Sequence, residues 1–209
     1  MKKIISLICI AGMIAFGFND AQAQDTRFGL KGGLTMYSME TSVMGFSETS
    51  DNKLGFTGGL FVEKPFSDMF SLQFEALFVQ KGGEDSDEVW GDESLTLSYV
   101  DIPVLLKVNI PLDGNATPYV YGGGFFGYLI DASEDANDET HDIGEFFNDF
   151  NYGVAFGAGV SFGMFNLDIR YDMGLANIVD EDDEFGGIFG DGGFEVNTKG
   201  FMVTAGITF

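Results

Sequence analysis

The sequence predicts an all-β fold, a single eight-stranded antiparallel up-and-down transmembrane β-barrel. Three observations predict it. Eight stretches alternate apolar residues with polar or small ones at period two, the spacing of a strand with two different faces. The connections between them alternate strictly between short and long, as in barrels of the bacterial outer membrane. Glycine makes up 30 of the 209 residues, about twice its usual share. It falls inside the apolar stretches, where it weakens helices and permits the close backbone approach of a small barrel.

The first strand is read as Arg27 to Met36, with Phe28, Leu30, Leu34 and Met36 on one face and Lys31 and Thr35 on the other. The second is Leu54 to Glu63. The third, Met69 to Lys81, alternates Phe70, Leu72, Phe74, Ala76 and Phe78 with Ser71, Gln73 and Glu75. The fourth, Leu95 to Ile110, sets Val100, Ile102, Val104, Leu106 and Val108 against Asp101 and Lys107. The fifth, Pro118 to Ile130, is rich in Gly, Tyr and Phe, and its alternation leaves both facings open. Phe150 to Phe162 and Phe165 to Leu175 are the most regular, the latter with Asn166, Asp168, Arg170 and Asp172 on its polar face. The eighth runs from about Val196 to Phe209. Its apolar face of Phe201, Val203, Ala205, Ile207 and Phe209 suits contact with lipid.

Pro65 to Asp68, Pro111 to Thr117 and Gly163-Met164 are the short connections and carry turn chemistry. Tyr37 to Lys53, Gly82 to Ser94, Asp131 to Asp149 and Ile178 to Glu195 are the long ones. A soluble lipocalin-like barrel has the same periodicity with its apolar face inward. Aromatic-rich apolar faces, small residues opposite them and the terminal Phe209 favour the membrane.

Residues 1–23 read as a signal peptide: Lys2 and Lys3, an apolar run from Ile4 to Phe18, then Ala21-Gln22-Ala23 as the cleavage site. Residues 24–209 are then the barrel domain, localised as an integral protein of the outer membrane. Its loops are expected to be extracellular and its termini periplasmic. The one cysteine, Cys9, lies in the signal, so no disulfide or cysteine metal site is expected in the mature chain. No later stretch has the length of a spanning helix.

The formal net charge is −23. That sign excludes a nucleic-acid backbone as partner. The carboxylates concentrate in the long loops, as in Asp180-Glu181-Asp182-Asp183-Glu184. A cationic or divalent-ion partner at these loops is the reading their charge supports, with on-rates that fall as salt rises. The acidic run has calcium-type ligands but not EF-hand spacing, since Phe185 stands where the turn needs glycine. Phe146, Phe147, Phe185, Ile188 and Phe189 lie among the acids, either as an interface or folded onto the barrel rim.

Inward candidates are Lys31, Glu63, Glu75, Asp101, Lys107, Asp168, Arg170 and Asp172. An eight-stranded barrel is just wide enough for its own side chains, so these are expected to pair as a plug rather than line a pore. A narrow channel for ions or small solutes is the alternative. A lipid-modifying enzyme is a further one. Its only candidate base is His141, with Ser133 and Thr140 nearby in a hydrophilic loop, which reads as solvated. No catalytic, cofactor-binding or metal-ligating set is singled out, and no enzyme activity is expected.

Several runs resemble the PorT-type outer-membrane β-barrel family of Bacteroidetes: Phe28-Gly29-Leu30-Lys31-Gly32-Gly33, Tyr99 to Lys107, Ile169 to Ile178, and Gly206-Ile207-Thr208-Phe209. The resemblance covers nearly the whole mature chain. It implies the barrel, a lipid environment and contact of the last strand with the barrel-insertion machinery. It supplies no catalytic residues. The function expected from these readings is structural or surface-interacting, through acidic external loops, with no ligand specified.

Overall fold

A computed structural model describes residues 26–43, 46–87, 91–112, 114–136, 139–142, 144, 147–179 and 194–209. The expected signal peptide lies outside them. Ten strands form: β1 (Arg27–Val43), β2 (Phe46–Thr49), β3 (Asp51–Pro65), β4 (Phe70–Asp87), β5 (Gly91–Asn109), β6 (Ala116–Ala136), β7 (Glu139–Asp142), β8 (Phe150–Phe162), β9 (Phe165–Gly174) and β10 (Phe194–Thr208). Eight are staves, each antiparallel to its sequence neighbour among the staves, and β10 pairs with β1 to close the barrel. The short β2 and β7 pair back on β1 and β6 within long connections that sequence patterning left as loops. Their short acidic or polar sequences carry no apolar alternation that would reveal them.

The register fixes the shape. Arg27 pairs with Glu63, Glu63 with Gln73, Gln73 with Leu105, Leu105 with Gly123, Gly123 with Ala155, Ala155 with Asp172, Asp172 with Gly200, and Gly200 with Tyr37. One circuit therefore climbs β1 from Arg27 to Tyr37. At ~3.3 Å per residue and ~4.8 Å between strands, this tilts the staves roughly 40°. The bore that results is narrow and must be filled by side chains.

Period two sorts the side chains as the sequence predicts. Phe28, Leu30, Leu34, Phe56, Leu60, Phe156, Ile169, Phe201 and Val203 are exposed on the outer wall. Tyr171 packs there against Phe201, with ring centres 4.8 Å apart. Above this band Lys199 donates to Glu40 at 2.8 Å, a charged pair at the level where apolar residues stop. All eight inward candidates are buried. The facing of β6 is settled: Tyr119, Tyr121, Phe125 and Leu129 point in, while Val120, Phe126 and Ile130 point out. The register shift against β5 at Ser98/Tyr99 then inserts one residue in β6 and turns Ala132 inward.

β8 and β9 meet through Gly163-Met164, with Gly163 at φ 59°, the left-handed first position that tight primed hairpin turns reserve for glycine. The inward glycines have a different use. Rings on one strand lie across the glycine directly opposite: Tyr37 on Gly200, Phe61 on Gly29, Tyr119 on Gly159, Tyr121 on Gly157 and Phe125 on Gly153. A narrow bore accepts so many aromatics only because each lies flat where its partner strand has no side chain.

Candidate functional site

The lumen is built in storeys. At the end carrying the short turns is an open cavity of about 720 Å³, lined by Arg27, Glu63, Asp68, Lys107 and neutral polar residues, with Leu112, Met164 and Phe209 on its rim. Its inner wall begins the buried charges. Lys107 Nζ donates to Glu63 Oε2 at 2.8 Å and stands 3.9 Å from the centre of the Tyr119 ring.

Above it, Glu75 is shared. Lys31 Nζ lies 3.0 Å from Oε1, Gln73 Nε2 donates to the same oxygen at 2.5 Å, and Arg170 Nη2 donates to Oε2 at 2.6 Å. Lys31 also pairs with Asp168 at 3.3 Å. The Tyr121 hydroxyl accepts from Arg170 Nε at 3.3 Å and donates to Asp168 at 2.7 Å. Burying ions costs several kcal/mol each unless good partners face them, and every ion of this storey has one.

The third storey holds Lys81, paired with Asp101 at 2.8 Å among the rings of Phe125, Tyr99 and Tyr37. Tyr37 donates to Asp172 at 2.7 Å. Periodicity puts Tyr37 in the connection after the first strand and makes Lys81 the last residue of the third, because the staves run beyond the lipid-facing band that defines the pattern.

The last described storey is apolar. Met39, Leu97, Tyr99, Leu129, Ala132, Ile178 and Val196 form one buried cluster, with Leu95, Phe147 and Val179 packed on it. Ile178 comes from the connection after β9, which turns into the barrel mouth rather than away. Two asparagines hold that turn. The Asn148 amide donates to the carbonyls of Asn177 and Val179, and Asn177 Oδ1 accepts from the backbone of Val179 and Val196. Of the loop aromatics, Phe147 folds onto this buried cluster inside the mouth. Phe146, Phe185, Ile188, Phe189 and the acidic run 180–184 lie outside the described residues.

The other chemical candidates fall on the short ladder between β6 and β7. His141 stands in β7 opposite Glu134, and Thr140 opposite Asp135, while Ser133 pairs with Asp142. Among the described residues no group of three or more His, Cys, Asp or Glu is arranged to hold a metal. Among the described residues the arrangement is a stack of paired ions with an apolar layer above it.

The sequence over residues 21–180 matches the outer membrane protein β-barrel domain family. The chain belongs to that family. It is an integral β-barrel protein of the outer membrane. Solved outer-membrane barrels are similar to this family member in fold. The attachment invasion locus protein Ail of Yersinia pestis is 16% identical, covering 89% of this chain and 100% of that one, with a TM-score of 0.45. Neisserial surface protein A is 13% identical, covering 90% and 99%, with a TM-score of 0.48. The outer membrane protein W of E. coli is 17% identical, covering 88% and 97%, with a TM-score of 0.43. No curated protein matches the chain in sequence.

Proposed function

We propose that this barrel is a structural or surface-interaction protein that works through its acidic loops on the cell exterior, without catalysis and without conducting through its lumen. The observation that carries the reading is the apolar storey around Ile178. It lies across the bore above ion pairs that already hold one another, and a path for ions needs a continuous polar lining. The runner-up, a narrow channel, draws its support from the polar storeys below. Single-channel recording on the reconstituted protein tests the choice. No discrete current steps are expected in a planar bilayer, and regular steps with a reproducible conductance would overturn the reading.

The loops' acidity supports a cationic or divalent-ion partner, and the alternation of short and long connections supports external loops and periplasmic termini. The last strand supports contact with the insertion machinery, and PorT-type kinship is part of the same proposal. Phe209 is 70% exposed at the outer edge of β10, and its backbone N–H donates to the Phe28 carbonyl at 2.7 Å across the closing seam. Removing Phe209 is expected to lower the amount of folded barrel in the outer membrane several-fold, read from heat-modifiable migration of membrane fractions. An unchanged folded fraction would argue against a role for this residue in assembly.

A further inference from the structure

The cavity at the short-turn end contains a buried oxygen that the ion-pair stack leaves unused. Glu63 is 3% exposed and forms part of the cavity wall. Its Oε2 accepts from Lys107, but its Oε1 is buried and accepts no hydrogen bond. The nearest other cation is Arg27, 3.8 Å from Oε1, with a side chain 56% exposed. That distance is beyond hydrogen bonding, and a pair with one partner so exposed contributes little. Lys107 is held by Oε2 on one side and the Tyr119 ring on the other. A buried carboxylate oxygen without a donor is costly, and a ligand that brings a charged donor removes the cost.

The rest of the cavity suits such a ligand. Asn109, Thr117, Ser161 and Thr208 offer neutral donors and acceptors around the wall, and Leu112 and Met164 offer apolar edges. A volume of about 720 Å³ is that of a small-molecule site. The ion pairs and the apolar storey above make the cavity a dead end, so a solute that enters is retained rather than passed on.

We propose that this vestibule binds a small primary amine, with its ammonium on Glu63 Oε1 and its amide or hydroxyl groups on the neutral polar wall. The proposal rests on the closed-lumen reading only for its dead end; conductance and amine binding are measured separately, so either can fail alone. An amino sugar and the free end of a short peptide share this chemistry, and two probes separate them.

The test is titration of the barrel in lipid nanodiscs with glucosamine and with Ala-Ala, each beside its N-acetylated counterpart, followed by NMR shifts. Saturable binding of at least one amine, and of neither acetylated compound, is expected, and which amine binds identifies the source. Glu63→Gln should weaken binding about tenfold to a hundredfold, the usual effect of losing one charged hydrogen bond. Arg27→Ala, at an exposed position outside the stack, should change it by no more than a few-fold, since so exposed a partner contributes little. Binding of the acetylated compounds as strongly as the amines, no binding of either amine, or a larger loss in Arg27→Ala than in Glu63→Gln would overturn the proposal.

Discussion

Replacing Arg170 with Met is expected to destabilise the barrel by about 3–5 kcal/mol, the range for stranding a buried charge by removal of its partner. Arg170 is 2% exposed and bonds Glu75 at 2.6 Å and the Tyr121 hydroxyl at 3.3 Å. Without it, Glu75 keeps only Lys31 and Gln73, and Lys31 is shared with Asp168. Urea unfolding of the protein in lipid vesicles measures the change. The double variant Arg170→Met with Glu75→Gln removes one charge of each sign and should recover a substantial part of the loss, giving a clear coupling in a double-mutant cycle. Additive effects of the two substitutions would contradict the shared-carboxylate arrangement.

The second large effect is expected from a glycine. A side chain at Gly157 would begin 2.6 Å from the Tyr121 hydroxyl and meet the Ile169 backbone carbonyl of the next strand. Gly157→Val therefore forces two adjustments. Overpacking of this kind costs about 1–3 kcal/mol, occasionally more. Tyr121 must also leave its bond to Asp168, and a hydrogen bond to a charged group contributes about 1.5–3 kcal/mol. A loss of about 3 kcal/mol or more is expected. Gly122→Val is the control: that glycine faces outward, and the nearest atom to an added Cβ is 3.7 Å away. It should leave the unfolding midpoint within experimental error. Equal effects at the two positions would show that glycine serves only backbone flexibility here.

These predictions show what period two reveals and what it conceals. Alternation separates lumen from lipid for each strand alone, which is why Lys31, Glu63, Glu75, Asp101, Lys107, Asp168, Arg170 and Asp172 could be placed inside from sequence. It does not say which meets which. Arg170 of β9 reaches Glu75 of β4 only because the sheet closes into a barrel, a property of all eight staves together. The run Gly122-Gly123-Gly124 erases alternation in the fifth stave, where Tyr119, Tyr121 and Phe125 supply much of the filling. Sequence patterning makes Ile178 the start of a loop. Only the turn held by Asn148 and Asn177 folds it onto the apolar cluster in the mouth, and asparagines in a connection have too many ordinary uses to signal that one.

The rings laid across opposing glycines have a consequence for assembly. A strand displaced by two residues keeps its lipid face outward, so hydrophobicity does not penalise the mistake. Interlocking shapes do. If β8 slid by two in one direction, Phe125 would fall on Ala155 and Tyr119 on Ser161; in the other, Phe125 would fall on Asn151 and Tyr121 on Ala155. Either way at least two rings collide with side chains instead of lying over bare backbone. The interior of this barrel thus checks alignment while the barrel closes, rejecting two-residue slips that its greasy exterior accepts.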